Sequence, residues 1–139
     1  MKKDETNTLK NLGSHNTKYS YDNPSKDLLE TFQNQYPDRD YVVEYIFNEF
    51  TSLCPKTYQP DFATIKIEYT PDKLCIETKS LKTYFLSYRQ YGAFMETLTN
   101  QILDDCVSVC KPRWMRITSN FNTRGGTLIN VIAEHISDD

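Results

Sequence analysis

The stretch Phe62–Tyr69 alternates between apolar and polar residues, and this pattern constrains the fold more than any other feature of the sequence. Its apolar members fall on one side of an extended chain: Ile65, Ile67 and Tyr69. Its polar members fall on the other side: Thr64, Lys66 and Glu68. A period of two is typical of a strand with one buried face, so the fold includes a sheet that is covered on one side.

Strand and turn patterns flank this segment. Tyr41–Phe47 is rich in β-branched and aromatic residues, which predicts a strand that leads towards Cys54. Thr70–Lys73 predicts a turn, because Pro71 suits the first central position of a β-turn. Leu74–Lys79 would then return beside the alternating strand as its hairpin partner.

Two helices are expected next. Ser80–Arg89 has helical character, Gly92 interrupts it, and a longer helix runs to about Cys110, where Pro112 stops it. The second helix has an apolar stripe at helical period, which is typical of a face packed on a core. The stripe consists of Phe94, Leu98, Ile102, Cys106 and Val109.

The chain ends in a second predicted hairpin. Trp114–Phe121 and Thr127–Ala133 are strand patterns, and two glycines in Asn122–Gly126 permit the positive φ of a tight connection. The resulting order, strand-strand-helix-helix-strand-strand, predicts an α+β unit with antiparallel pairs and both helices on one face. Such a sheet has two long edges that need covering, so closure of several copies into a barrel is expected.

The first part of the chain is polar and rich in turn residues. We predict that residues 1–38 form an arm packed on a single domain, residues 39–139, and that roughly the first ten residues are disordered. A short helix is predicted over Ser25–Gln33, with Ser25 as its N-cap. Spaced apolar residues that would tie the arm to the body are Leu12, Tyr19, Tyr21, Leu28, Leu29 and Phe32.

Composition excludes several classes of function. A formal net charge of −3 over 139 residues argues against a nucleic-acid grip made mainly through phosphates. No apolar run exceeds three residues, so neither a membrane-spanning helix nor a signal-peptide core is expected. The four cysteines lack the spacing of a disulfide framework, which favours a reducing cytoplasm.

A structural metal is not expected. Cys106 and Cys110 lie four residues apart on one helix face, but His15 and His135 are the only imidazoles. No CxxC or HxxxH pair completes a four-ligand zinc site, so these two cysteines are interpreted as core residues.

The segment Thr51–Asp61 holds the first candidate site. Pro55 and Pro60 exclude a helix or a central strand, which predicts a stiffened loop before the alternating strand. The loop carries one thiol, Cys54, and one carboxylate seven residues later, a combination that suits a nucleophile beside a proton donor. On spacing alone, a buried cysteine beside a turn aspartate is the commoner arrangement.

Charged residues elsewhere add candidates for ligand binding. Glu77–Tyr84 crosses from strand to helix and carries Lys79 and Lys82 near a helix N-terminus, where ammonium and backbone N–H groups receive phosphate oxygens. The carboxylate of Glu96 can accept paired N–H donors from a guanine-like edge, and Arg124 at the hairpin tip can reach a phosphate. Each also fits an ordinary solvated surface charge.

Two motifs in the correct order carry a resemblance to a known family. They are Phe50–Thr57 (FTSLCPKT) followed by Gln59–Thr64 (QPDFAT), and Glu77–Tyr84 (ETKSLKTY). With Arg124–Gly126, they resemble the NADPH-dependent 7-cyano-7-deazaguanine reductases, the nitrile reductases of queuosine biosynthesis in tRNA modification, in their short single-module form. The likeness runs from roughly residue 12 to residue 133.

This resemblance implies the tunnelling fold shared with GTP cyclohydrolase I, in which subunits join into barrels with sites at their interfaces. It implies Cys54 as the nucleophile that adds to the nitrile carbon, giving a covalent thioimide, and Asp61 as the proton donor. The residues implied to hold the deazaguanine base are Ile76, Glu77, Thr78, Met95 and Glu96. Those implied to meet NADPH are Lys79, Lys82 and Arg124. The substrate is a free base, so tRNA binding is not expected.

The chemistry explains the residue types. A nitrile carbon is a weak electrophile, so a thiolate must attack while a nearby acid protonates the nitrogen. Because only a few per cent of a free cysteine is thiolate at pH 7, Cys54 needs activation, for which Lys56 or a neighbouring helix end is the hypothesis. NADPH then supplies two hydrides per nitrile.

The sequence departs from the family pattern at three places. Thr78 and Thr83 stand where other small or apolar residues are usual, which is a mild change. Met95 stands where many members have histidine, so any role of that histidine does not transfer. The helix near Glu96 has no cysteine in register for a protective disulfide with Cys54.

Two other functions fit the same fold. One is a pterin or purine cyclohydrolase-type hydrolase, which is expected to need a metal for which the Cys and His ligands are missing here. The other is a non-catalytic purine-binding oligomer, in which replacing Cys54 by alanine would leave every activity and every ligand adduct unchanged.

Overall fold

The computed structural model describes residues 1, 3–10 and 18–138, so the predicted anchor Leu12 lies outside the described residues. After the Cys54 loop the order of elements is the predicted one. None of the described helices is long and apolar enough to cross a membrane. The elements are a 3-10 helix Lys26–Leu28, β1 Thr31–Gln33, β2 Val43–Leu53, β3 Pro60–Thr70, β4 Leu74–Ile76, α1 Thr78–Leu86, α2 Met95–Cys110, β5 Trp114–Phe121 and β6 Asn130–Ile136.

The main sheet has four antiparallel strands in the order β2-β3-β5-β6. Ile67 of β3 pairs with Tyr45 of β2 on one side and with Ile117 of β5 on the other. The predicted alternation of β3 is confirmed, because Ile65, Ile67 and Tyr69 are all buried. Both helices pack on this face, α1 against β2 and α2 against β5 and β6, as expected of an α+β unit.

Aromatic rings join α1 to β2. The ring of Phe85 lies 6.1 Å from that of Tyr45, 5.2 Å from Phe47 and 5.9 Å from Phe50, measured between centroids. Burial of one such side chain contributes about 1.5–3 kcal/mol. The contacts hold the last turn of α1 on β2.

The opposite face of the sheet is not covered by any described helix or strand of this chain. Large apolar side chains that are more than half exposed on this face are Ile46, Phe62, Ile132 and Ile136. β2 and β6 form the two edges of the sheet. The two long edges were the basis for the expectation of an oligomer, and the exposed apolar face is a further surface that association would cover.

The predicted hairpin between β3 and Leu74–Lys79 is wrong. β4 pairs instead with β1, in register Thr31 to Ile76 and Gln33 to Leu74, as a separate two-stranded sheet. Both edges of β3 are already occupied, by β2 and by β5. A short returning strand therefore has no place beside β3.

The predicted helix Ser25–Gln33 is also wrong. Ser25 is the N-cap, as predicted, and its hydroxyl accepts from the Asp27 N–H at 3.2 Å, but only one 3-10 turn follows. The chain then extends as β1, because β4 offers an edge for pairing and so short a helix is marginal by itself. Leu29 is buried in the core as expected, whereas Phe32 is more than half exposed.

Other anchors of the arm differ in their contacts. The carbonyl of Tyr21 accepts from the N–H of Gln90 at 2.5 Å, and the guanidinium of Arg89 lies 5.9 Å from the Tyr21 ring centroid. Tyr19 is half exposed and lies 6.3 Å from Tyr21, ring to ring. That residues 1–38 form an arm on one domain stays a prediction.

Two element boundaries differ from the sequence patterns. α1 begins at Thr78 rather than Ser80, because Glu77 caps it. β6 begins at Asn130 rather than Thr127, since Arg124 and Thr127 exchange two backbone hydrogen bonds of 2.9 and 2.8 Å. The tight connection itself is confirmed, and the two glycines that supply its positive φ are Gly125, at 54°, and Gly126, at 78°.

Candidate active site

The loop that carries Cys54 joins β2 to β3 and is shorter than predicted. β2 continues to Leu53 and β3 begins at Pro60, a strand position that proline tolerates. The Cys54 N–H donates to the Gln59 carbonyl at 2.9 Å, and the Tyr58 N–H donates to the Cys54 carbonyl at 3.0 Å. Backbone hydrogen bonds on both sides of the thiol therefore fix its position.

A second segment, between the helices, is held against this loop. The Leu53 N–H donates to the Tyr91 carbonyl at 2.9 Å, and the Ala93 N–H donates to the Leu53 carbonyl at 3.1 Å. A Cβ on Gly92 would lie 3.2 Å from the Cα of Pro55, closer than most side chains approach a backbone. Glycine thus allows the close approach that brings the start of α2 beside Cys54.

The thiol of Cys54 is partly exposed and activated by its own loop. A hydrogen bond with the Thr57 hydroxyl is the main cause that lowers the pKa of Cys54, and the backbone N–H groups of Thr57 and Lys56 add to it. Burial and the charge of Asp61 act against this lowering. Lys56, one of the two predicted sources of activation, contributes to this lower pKa through its backbone N–H.

Asp61 is the second residue of β3 and is almost completely buried, with 4% of its surface exposed. The guanidinium of Arg124 donates to Asp61 Oδ1 and forms an ion pair with it. The arginine comes from the tip of the β5–β6 hairpin, 63 residues later in the chain. Burying a carboxylate at this depth is costly unless it is paired, and the guanidinium of Arg124 supplies the pairing.

Residues from five segments meet around a cavity of about 240 Å³: the β2–β3 loop, β3, the segment before α2, α2 and the β5–β6 hairpin. A larger cavity of about 490 Å³ adjoins it, since both are lined by Met95, Arg124 and Ile129. The structure thus brings together five of the predicted site residues: Cys54, Asp61, Met95, Glu96 and Arg124. A nucleophile, an acid and a second carboxylate share this space, which suits addition to a small polar substrate.

The other predicted residues lie around the start of α1. The carboxylate of Glu77 accepts from the N–H groups of Lys79 at 2.8 Å and Ser80 at 2.7 Å. These two hydrogen bonds are the main causes that lower the pKa of Glu77. The N–H groups that were expected to receive a phosphate are therefore engaged by the side chain of the helix's own N-cap.

The remaining members of this group differ in exposure. Ile76 is buried, and its N–H donates to the Tyr69 hydroxyl at 3.0 Å. Thr78, Lys79 and Lys82 are exposed, so their side chains remain available to a ligand. A surface depression of about 460 Å³ lies beside the helix start and is lined in part by Glu77 and Lys79.

The two groups of residues are far apart within one chain. Glu77 lies near Tyr45, whose pKa is raised first by burial and then by the charge of Glu77. Tyr45 and Cys54 are nine residues apart along β2, which corresponds to roughly 30 Å at about 3.3 Å per residue. A single bicyclic base cannot touch both Glu77 and Cys54 of the same chain.

Sequence reasoning missed four residues of the site. Thr57 was not identified as the hydrogen-bond donor to the thiol, although a hydroxyl three residues after a cysteine in a tight loop is a usable signal. Gly92 was interpreted only as a helix breaker. Ser52 and Ile129 had no distinguishing pattern, because their position depends on strand pairing and on the hairpin.

The thiols outside this site are buried. Cys75, Cys106 and Cys110 are each 5% exposed or less, and all four cysteines are free. Burial is the main cause that raises the pKa of Cys110 to about 12, so this thiol stays protonated and inert. Within the described residues, no three His, Cys, Asp or Glu side chains form a group that could hold a metal ion.

The chain is similar to proteins of known function along most of its length. A family model described as QueF-like protein matches residues 60–139. The chain is 50% identical over 135 residues to the NADPH-dependent 7-cyano-7-deazaguanine reductase of Nitratidesulfovibrio vulgaris, covering 97% of this chain and 81% of that protein. It is 60% identical over 107 residues to the reductase of the same name from Nitrosococcus oceani, covering 77% and 83%.

A solved structure shows the same fold. The apo form of the archaeosine synthase QueF-Like matches with a TM-score of 0.63 and 22% sequence identity, covering 67% of this chain and 91% of that chain. At this identity the likeness concerns the fold alone. It confirms the predicted α+β tunnelling-fold unit.

Proposed function

Because this chain belongs to the family of NADPH-dependent 7-cyano-7-deazaguanine reductases, we propose that it reduces the nitrile of that base through a thioimide on Cys54. The product is the aminomethyl base used in queuosine biosynthesis. The observation that carries the proposal is the shared cavity of Cys54, Asp61 and Glu96. The relatives support this function over the cyclohydrolase and the non-catalytic alternatives.

The reaction begins at the Cys54 thiol. Its sulfur adds to the nitrile carbon, and the nitrile nitrogen takes a proton from Asp61, so that S–H is added in total across the triple bond. The lowered pKa of Cys54, caused first by the Thr57 hydroxyl, raises the fraction of thiolate that can attack. The loop hydrogen bonds of Cys54 limit its freedom and favour one direction of attack.

NADPH, when bound, supplies one hydride to the thioimide carbon and a second to the imine carbon. Between the two hydride transfers the C–S bond breaks and Cys54 regains its proton. With each hydride the nitrogen also takes one proton from water, so that it is a primary amine after the second. Exposed cations fit the phosphates of such a cosubstrate: Lys79 and Lys82 at the start of α1, and Arg124 if it leaves Asp61.

We also propose that the base is held between two copies of the chain. Glu96 lies in the Cys54 cavity, whereas Glu77 lies near Tyr45, and Tyr45 precedes Cys54 by nine residues, or roughly 30 Å of extended chain at about 3.3 Å each. If both carboxylates bind one base, the second must come from a neighbouring subunit. The uncovered sheet face and the free edges of β2 and β6 offer the surface for that association.

The reaction is placed in the cytoplasm for a chemical reason. The catalytic cysteine must remain a free thiol, and NADPH must be available as a soluble reductant. The substrate is a free base of small size. Recognition therefore needs no basic surface for tRNA, in agreement with the net charge of −3.

Intact-mass measurement tests the proposal. Protein mixed with 7-cyano-7-deazaguanine in the absence of NADPH should gain the full mass of the nitrile, and Cys54→Ala should not. A matched control, Cys75→Ala, removes a buried thiol and should keep the adduct. NADPH should then discharge the adduct with loss of nicotinamide absorbance. If the wild type forms no adduct and consumes no NADPH, the reductase function is refuted.

A further inference from the structure

Ser52 is a buried polar residue without a partner. Its side chain is 0% exposed, and its Oγ is the one buried side-chain nitrogen or oxygen among the described residues that forms no hydrogen bond. Leaving a hydroxyl unpaired at such depth is unfavourable, so a serine here calls for an explanation. Alanine, which lacks only the hydroxyl oxygen, would avoid this cost.

The position of Ser52 relates it to the proton donor. Ser52 of β2 is paired directly with Asp61 of β3 in the sheet register. Side chains of directly opposed residues lie on the same face, with Cβ atoms about 4.5–5.5 Å apart. Both are buried on the helix-covered face, and Arg124 binds Asp61 through Oδ1. The hydroxyl of Ser52 can therefore reach the carboxyl group of Asp61 by rotation about one bond.

Arg124 and Ser52 are suitable hydrogen-bond partners for different protonation states of Asp61. A guanidinium has donors only, so Arg124 is a partner for the carboxylate and a poor partner for the neutral acid. A hydroxyl both donates and accepts, so Ser52 can accept from a protonated Asp61 or donate to its other oxygen. Asp61 has to carry a proton before it can give one to the nitrile nitrogen.

We propose that Ser52 is a positioning residue that holds Asp61 in its protonated form while Arg124 is withdrawn. This inference rests on the proposed function. The proton leaves the Cys54 sulfur for the Asp61 carboxylate and passes from there to the nitrile nitrogen as the C–S bond forms. One S–H bond is broken and one N–H bond is formed, and no further reactant is needed. Ser52 keeps the acid pointed into the cavity between the two transfers.

Three titratable groups face Asp61 from the elements around it. They are Cys54 from the β2–β3 loop, Glu96 from the start of α2 and Arg124 from the β5–β6 hairpin. Glu96 and the Cys54 thiolate favour the neutral acid, and Arg124 favours the carboxylate. Removal of the Ser52 hydroxyl changes none of these charges. An altered pH profile in that variant reports on the hydroxyl itself.

The test compares Ser52→Ala with wild type by the rate of thioimide formation across pH, followed by mass. We expect a fall of about tenfold, a share of the roughly 10²- to 10⁴-fold effect of general acids. We expect the alkaline limb to move to lower pH, because the protonated acid loses a partner. The KM for the nitrile should not change. Ser52→Thr retains the hydroxyl and should recover most of the rate.

Ser119→Ala is the matched control. Ser119 is also buried on this face, but its Oγ accepts from Thr99 Oγ1 at 2.9 Å. It is paired with Ile65, four residues from Asp61 along β3, or about 13 Å. Ser119→Ala should lower the melting temperature and leave the pH profile unchanged. Ser52→Ala should not lower the melting temperature, since it removes an unpaired hydroxyl.

The outcomes separate the two proposals. A wild-type pH profile and rate in Ser52→Ala would overturn the positioning role, while the adduct in wild type would still support the reductase. Absence of an adduct in wild type would overturn both. A lowered melting temperature of Ser52→Ala with an unchanged pH profile would assign the residue to packing.

Discussion

Cys54 and Glu77 lie at opposite ends of β2, and their surroundings differ in origin. The Cys54 cavity is lined by residues from the β2–β3 loop, β3, the segment before α2, α2 itself and the β5–β6 hairpin. Glu77 interacts chiefly with the backbone of its own helix, one and two residues beyond Thr78. The first site is built by tertiary contacts over long sequence separations. In the second, the carboxylate of Glu77 is held by its own helix start, although the Glu77 N–H donates to the distant Glu30 carbonyl at 2.9 Å.

In our proposal the Cys54 cavity carries out the chemistry, and the start of α1 contributes to substrate recognition. The cavity contains the proposed nucleophile and acid, which must be held within fractions of an ångström, so several elements fix them. The start of α1 presents a carboxylate and two exposed cations, which in our proposal bind by charge and tolerate looser geometry. The complete site that we propose combines one region from each of two chains.

The largest expected effect tests the chemistry of the first region. Asp61→Asn keeps the side-chain size and removes the proton donor, so we expect NADPH consumption to fall roughly 10²- to 10³-fold. Nicotinamide absorbance is the measurement. The control is Asp72→Asn, because Asp72 also pairs with an arginine, Arg113 at 3.1 Å, but in the turn before β4. Wild-type turnover in Asp61→Asn would remove this residue from the mechanism.

The second prediction tests whether the regions belong to different chains. Glu77→Gln should lower kcat/KM about 10- to 100-fold, as expected for loss of a charged hydrogen-bond acceptor. Cys54→Ala should be inactive. When the two variants are co-expressed in equal amounts, some interface sites combine an intact Cys54 from one chain with an intact Glu77 from the other. About a quarter of the sites should be restored in this way.

The comparison of mixed with unmixed oligomers decides whether one site uses residues of two chains. Activity of the mixture should rise above that of either variant alone. This rise should be absent when separately purified proteins are mixed and do not exchange subunits. If mixing restores nothing although mixed oligomers form, the base is bound within one chain and the comparison is wrong.

The third prediction concerns how the first region is held. Gly92→Ala places a Cβ 3.2 Å from the Pro55 Cα, and the contacted atom is backbone, so the loop must shift. We expect a loss of about 1–3 kcal/mol in the free energy of unfolding. Displacement of Cys54 from Thr57 should also raise the pKa of the thiol back towards its usual value, which slows alkylation by iodoacetamide at neutral pH.

Gly126→Ala is the control that separates backbone strain from displacement of the Cys54 loop. Gly126 has a φ of 78°, and nothing lies within 4 Å of an added Cβ. The substitution should cost about 1–2 kcal/mol through backbone strain. The alkylation rate of Cys54 should remain that of the wild type. Equal alkylation rates in both glycine variants and wild type would show that Gly92 does not control the nucleophile.

The smallest expected effect is the pH dependence of the stability that Glu77 gives to the start of α1. The pKa of Glu77 is lowered in the folded chain, chiefly by the Lys79 and Ser80 N–H groups. Its contribution to stability is therefore complete above the unfolded pKa, about 4.3, and is lost as pH falls through the folded value. Thermal unfolding of wild type and Glu77→Gln should differ at pH 6 and converge in acid. A constant difference would mean that the charge of Glu77 does not stabilise α1.

Much of this molecule follows from the sequence itself. The alternation in Phe62–Tyr69 determines the strand and its buried face, and the apolar stripe determines most of α2. The turn at Gly125 and Gly126 follows from their tolerance of positive φ. In each case the information lies within a few residues, because periodicity and allowed backbone angles are local properties. The motif around Cys54 likewise identified the family.

Strand pairing and the partners of the site residues were decided only by the tertiary structure. Leu74–Ile76 pairs with β1 because β3 already has β2 and β5 as neighbours, which no local pattern records. Arg124 reaches Asp61 across 63 residues, and Ser52 lies opposite Asp61 only in this register. The distance between Cys54 and Glu77 has the same origin. Contacts of this kind depend on which edges and faces remain free once the other elements have packed.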